Sequence, residues 1–126
     1  MIPEHLRYTA EHEWVSGDGP AAVRVGITDF AQDALGDIVF VQLPAEGEAV
    51  QAGESLGEVE STKSVSEIYA PISGTVAARN LALADTPELI NTDPYGEGWL
   101  LEIVPADPAA VAALLSASAY GELINK

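Results

Sequence analysis

Cysteine is absent from the 126 residues. The chain therefore has no disulfide, thiolate nucleophile or thiol-based metal site, and any redox chemistry must come from a prosthetic group. Basic residues are scarce too: five Lys and Arg stand against 20 Asp and Glu, for a formal charge of −15. Phosphate backbones need a basic footprint, so nucleic acid is excluded as a partner. Anionic membrane surfaces are excluded for the same reason. No stretch approaches the roughly 18 consecutive apolar residues of a membrane span. The start, Met1-Ile2-Pro3-Glu4-His5-Leu6-Arg7, has neither the basic and apolar regions of a signal peptide nor the Arg-rich character of a transit peptide. A cytoplasmic protein with one domain over residues 1–126 is expected, its acidic field suited to solubility and to basic patches on protein partners.

Catalytic patterns are missing as well. His5 and His12 have no metal-ligand spacing to a further histidine, so no metal is expected. His12, between Glu11 and Glu13, reads as part of a solvated strand edge. Gly17-Asp18-Gly19 and Gly96-Glu97-Gly98 lack the strand and helix that flank a phosphate loop, and no Gly-x-Ser-x-Gly elbow occurs. No residue is assigned a catalytic role.

Lysine is the most informative scarcity. Only Lys63 and Lys126 occur, and Lys126 ends the chain. Lys63 lies in Gly57-Glu58-Val59-Glu60-Ser61-Thr62-Lys63-Ser64-Val65-Ser66-Glu67-Ile68-Tyr69-Ala70-Pro71, where apolar and polar residues alternate on both sides of a short polar centre. That pattern predicts two strands joined by a tight turn with Lys63 at its tip. An exposed lysine is ordinarily just surface charge, but a chain nearly free of lysine does not rely on lysine for solubility. A primary amine on a flexible stem is a group that enzymes acylate. Lys63 is read as a covalent attachment point, with Glu60 and Glu67 bracketing it as candidate guides for the modifying enzyme.

The rest of the chain reads as short strands with frequent turns. Strands are predicted over 6–10, 12–15 and 21–27, with Trp14 in the core and a turn at Gly17-Asp18-Gly19-Pro20. Thr28 is the N-cap of a helix over 29–35 ended by Gly36, with Phe30, Ala31, Ala34 and Leu35 on its apolar face. A near-continuous apolar strand over 38–43 is expected to be buried. Further strands fall at 75–78 and 99–104, with a helical turn at 87–90 and loops over 80–87 and 91–98. Asp107 caps a helix that starts with Pro108 and turns Val111, Leu114 and Leu115 inward; a second helix from Ser118 aligns Tyr120, Leu123 and Ile124. The sum is a mainly β protein, a sandwich or barrel-like core with helices in the middle and at the end.

Glu60-Ser61-Thr62-Lys63-Ser64-Val65-Ser66-Glu67-Ile68-Tyr69-Ala70-Pro71-Ile72-Ser73-Gly74 closely resembles the lipoyl-attachment segment of the glycine cleavage system H-protein family. Three further stretches match that family in the same order. They are Tyr8-Thr9-Ala10-Glu11-His12-Glu13-Trp14-Val15, then Gly26-Ile27-Thr28-Asp29-Phe30-Ala31-Gln32-Asp33 with Gly36-Asp37-Ile38-Val39-Phe40-Val41, and finally Asn91-Thr92-Asp93-Pro94-Tyr95-Gly96-Glu97-Gly98-Trp99-Leu100. The chain departs from the family at Thr62 and Ser64, more often valine and alanine, and at Ala34, which is histidine in some members.

The resemblance implies a lipoyl/biotinyl-type hybrid of barrel and sandwich and a carrier without catalysis of its own. Its cofactor is lipoate, covalently attached to Lys63. The lipoyl-lysine accepts an aminomethyl group from glycine decarboxylation by glycine decarboxylase (P-protein). It presents that group to aminomethyltransferase (T-protein), which transfers it to tetrahydrofolate with release of ammonia, and dihydrolipoyl dehydrogenase (L-protein) reoxidises the arm. A lipoyl-attaching enzyme is a further partner. Glu13 and Glu67 are the family-supported carboxylates for contact with the loaded arm. A relay that donates lipoate to other carriers and a lipoyl domain of a 2-oxoacid dehydrogenase are the alternatives. A biotin carrier would place methionines beside the lysine, and the only methionine is Met1.

Overall fold

The computed structural model describes residues 2–17, 22–107 and 109–124. All but Gly17 of the turn expected at Gly17-Asp18-Gly19-Pro20, the strand start expected at Ala21, the helix start at Pro108 and the terminal Lys126 lie outside them. Among the described residues nine strands form two antiparallel sheets. The larger runs β1 (Arg7–Tyr8), β2 (Glu13–Ser16), β3 (Val23–Ile27), β9 (Leu101–Pro105), β8 (Gly74–Arg79) and β5 (Ala49–Val50) from edge to edge. The smaller is β4 (Ile38–Gln42), β6 (Ser55–Ser61) and β7 (Val65–Tyr69). Both orders are linear, so the expected hybrid of barrel and sandwich takes the form of two sheets.

Period-two alternation turns one face of each sheet inward. Val15, Val25 and Ile103 from the larger sheet meet Ile38, Val59 and Ile68 from the smaller in one buried cluster. A second cluster, Leu6, Tyr8, Trp14 and Tyr120, fixes the C-terminal helix α5 (Ala117–Ile124) against β1 and β2. Tyr8 and Tyr120 stack there with ring centroids 4.8 Å apart. The Trp14 indole donates to the Pro94 carbonyl at 2.9 Å, joining the early strand to the late loop.

Helix α1 (Asp29–Leu35) has the predicted ends: the Thr28 hydroxyl accepts from the Ala31 N–H at 3.2 Å, and Gly36 closes it at φ 85°. Seven residues do not make a stable helix in isolation. Tertiary contacts supply the difference, and Asn91 makes several of them. Its side chain donates to the Gly36 carbonyl at 2.8 Å and to the Gln32 side chain at 3.0 Å, and accepts from the Ile38 N–H at 2.8 Å. One buried-facing amide thus locks the α1–β4 corner.

Several expectations are corrected. Phe30 and Ala34 are exposed; of the expected apolar face only Ala31 and Leu35 pack on the core, while the Phe30 ring lies against His12 instead. Strand β4 is buried at Ile38 only, since a bulge between Ile38 and Phe40 turns Val39 and Phe40 to solvent. The predicted connection over 80–87 contains a helical turn, α2 (Ala82–Asp85), which buries Leu83. The next turn, α3 (Leu89–Thr92), extends into the predicted loop and supplies Asn91. Pro105 ends β9 inside the ladder, opposite Gly74. Asp107 caps α4 (Ala109–Ala112) through the Ala109 N–H at 3.0 Å, while Leu123 is left exposed.

Candidate functional site

Strands β6 and β7 form the predicted hairpin, and Lys63 stands exposed at its tip. The turn is held from within by Ser61, a residue that alternation alone does not single out. Its buried hydroxyl accepts from the Lys63 N–H and the Ser64 N–H, both at 3.1 Å, and donates to the Ser64 carbonyl at 3.2 Å. Serine satisfies two turn amides at once because its short hydroxyl reaches the N–H groups two and three residues ahead. The Thr62 N–H donates to the Asp37 carbonyl at 3.0 Å, which ties the turn to the segment following α1.

The Lys63 side chain lies across the C-terminal end of α1. Its ammonium donates to the Ala34 carbonyl at 3.1 Å. The carbonyls of a last helical turn lack intrahelical donors and carry the negative end of the helix dipole, so a cation is favoured there. Gly36 makes room for the stem: a Cβ at this position would stand 3.2 Å from the Lys63 Cε. Lys63 is the only lysine among the described residues.

Of the carboxylates singled out from the sequence, Glu60 and Glu67 are exposed on the outer face of the hairpin. They are not cross-strand partners: Glu60 pairs with Val65, and Glu67 with Glu58. Glu13 is different, only 2 % exposed. One oxygen accepts from the Thr9 hydroxyl at 2.7 Å and the other from the Tyr69 N–H at 3.1 Å. Burial pushes its carboxyl up to about 7, against those two hydrogen bonds, which favour the ionised form. Tyr69 also donates its phenol to Glu67 at 3.2 Å, so a single residue bridges Glu13 and Glu67.

His12 is not a solvated strand edge. It sits in the turn before β2 at φ 70°, with Nδ1 2.8 Å from the Tyr120 hydroxyl and its ring 4.7 Å from that of Phe30. Burial lowers its pKa, opposed by Glu11. The Tyr120 hydroxyl is also 2.8 Å from the Thr28 hydroxyl. The C-terminal helix thereby reaches the N-cap of α1, whose other end meets Lys63.

The chain matches the family model described as Glycine cleavage H-protein over residues 6–126. It is 63% identical over 123 residues to the glycine cleavage system H protein of Mycobacterium avium, covering 94% of this chain and 93% of that one. The H protein of Mycobacterium tuberculosis is 61% identical over 125 residues, at the same coverage. A crystal structure of a glycine cleavage system H protein from Mycobacterium marinum superposes with a TM-score of 0.91 at 51% identity, covering 99% of this chain and 100% of that one.

Proposed function

The chain belongs to the glycine cleavage H-protein family, and on that footing we propose that Lys63 is the residue to which lipoate is covalently attached. Members of this family are non-catalytic carriers, and the protein serves as the lipoyl-carrying shuttle of the glycine cleavage system. The observation that carries the proposal is the Lys63 amine, exposed at the tip of a turn whose backbone is fixed by Ser61. A fixed turn presents the amine to an acylating enzyme without the entropy of ordering a loop, and an exposed primary amine fits amide formation. When attached, the dithiolane supplies the sulfur pair that a cysteine-free chain lacks.

The partners follow as part of the same proposal. Glycine decarboxylase loads the carrier, aminomethyltransferase unloads it, dihydrolipoyl dehydrogenase restores it, and a lipoyl-attaching enzyme modifies it beforehand. The exposed carboxylates of Glu60 and Glu67 guide that last enzyme through a basic surface. For the loaded arm, Glu67 offers an open carboxylate. Glu13 is sealed beneath, already accepting from Thr9 at one oxygen and Tyr69 at the other, and an amine reaches its remaining lone pairs only if the covering residues move aside.

Intact mass after expression with lipoate is the direct test. A single lipoyl increment is expected on the natural chain and none on Lys63→Arg, with the same melting temperature. Glycine–bicarbonate exchange with glycine decarboxylase should be lost in the arginine variant. Exchange sustained by Lys63→Arg would end the proposal.

A further inference from the structure

The outer face of β4–β6–β7 has a composition that folding does not account for. Strand register aligns Phe40, Glu60 and Val65 in one row, and Gln42, Glu58 and Glu67 in the next. The alternate residues, Val41, Val59 and Ser66, point to the interior side, so both rows face outward. Phe40 is 55% exposed and Val65 56%, with Val39 at 47% on the adjoining bulge. These are three of the seven exposed large hydrophobic side chains among the described residues, gathered on one small face.

The charges on this face are equally one-sided. Glu58 stands directly across from Glu67, and like charges in that position destabilise a sheet. Glu60 lies between the two apolar side chains. Neither row contains a cation, and Lys63 stands at the end of the face. An apolar centre set among carboxylates is complementary to a protein surface with apolar side chains ringed by Lys and Arg. A second copy of the chain would bring carboxylates against carboxylates, so self-association is disfavoured.

We propose that this face is the docking surface for glycine decarboxylase, the enzyme that loads the Lys63 arm, engaged through Phe40 and Val65 and steered by Glu58, Glu60 and Glu67. The proposal rests on the reading of Lys63 as the arm's root, which puts that enzyme beside this sheet. It adds the chemistry by which the enzyme holds on: apolar contact sets the lifetime of the complex and the carboxylates set the encounter rate.

The test uses the full chain with its glycine decarboxylase holoenzyme. Binding is measured on the unmodified carrier, so that failure of lipoyl attachment cannot mask the result. Phe40→Ser combined with Val65→Thr should raise Kd about tenfold, as expected for the loss of a central contact. With the lipoylated protein, KM should rise by a similar factor while kcat stays within twofold. Val65→Thr alone preserves strand shape and should give a smaller shift in the same direction. Glu58→Gln with Glu67→Gln should flatten the salt dependence of association. An unchanged Kd and KM in the folded double variant would overturn the docking surface and leave Lys63 as the attachment point. A concentration-dependent dimer that Phe40→Ser abolishes would also overturn it, assigning the face to a second copy.

Discussion

The Lys63 ammonium and the Ala34 carbonyl, 3.1 Å apart, join the hairpin tip to the end of helix α1. The contact uses only backbone on the helix side, so the identity of residue 34 does not decide it. What does matter is Gly36, the helix C-cap beneath the lysine stem. Acylation would convert the ammonium to a neutral amide, which the helix end attracts far less. The contact therefore belongs to the unmodified chain.

Gly36→Ala should disturb this corner in two ways. At φ 85° and ψ −159° a side chain is strained, at a cost of about 1–3 kcal/mol. The new Cβ would also stand 3.2 Å from the Lys63 Cε, close enough that the stem must shift by a few tenths of an ångström. Thermal unfolding should show the loss in stability, and NMR of the Lys63 side chain should show a changed environment at its Cε. A variant with unchanged stability and an unmoved lysine would refute both effects.

Ser61→Ala removes three hydrogen bonds from a buried position and leaves the Lys63 N–H without its side-chain acceptor. A cost of about 1–3 kcal/mol is expected for the hydrogen bonds lost, at about 0.5–1.5 kcal/mol each with water replacing part of them. Because the turn would no longer hold the lysine in one orientation, lipoylation by the attaching enzyme should slow even where the variant is fully folded. Equal loading rates at a temperature where both proteins are native would show that the turn's rigidity is irrelevant to modification.

Local signals were legible where both ends of an element carry their own chemistry. Thr28 and Gly36 bound α1 to the residue, and the alternation around Lys63 marks both strands and the turn. Burial was less legible, because an apolar run does not say which side meets the core. Phe40 and Val39 read as buried and are exposed, since the bulge that turns them is a property of pairing with β6. Asn91 was quoted within a family-like stretch, yet its work at the α1–β4 corner depends on three groups more than 50 positions away. Nor does the spacing of Glu13 and Glu67 reveal that Tyr69 bridges them, one through its backbone and one through its phenol.

Charge steering of the attaching enzyme gives a salt-dependent prediction. Glu60→Gln with Glu67→Gln should slow lipoylation several-fold at low ionic strength, through the association step. The difference should shrink as salt approaches physiological levels, where the Debye length is about 8 Å. Initial rates at several salt concentrations supply the check. Identical rates at low salt would reduce both carboxylates to solvation of the hairpin.

The buried carboxyl of Glu13 makes stability depend on pH in a definite direction. Its native pKa is raised from 4.5 to about 7, chiefly by burial, so between those values the native state holds a proton that the unfolded chain has released. Stability must then fall as pH rises through that window and level off above about 7. His12 works the other way. Burial lowers its pKa below 6.5, so its contribution is intact above 6.5 and is lost as pH falls beneath it. The two opposing slopes overlap below 6.5, and the difference between the natural chain and Glu13→Gln isolates the carboxyl. From pH 5 to pH 8 the natural chain should lose about 2–3 kcal/mol relative to the glutamine variant. Urea unfolding at unit pH steps measures it directly. A difference that stays flat over this range would mean that Glu13 is already ionised in the native protein at pH 5, with Thr9 and Tyr69 outweighing its burial.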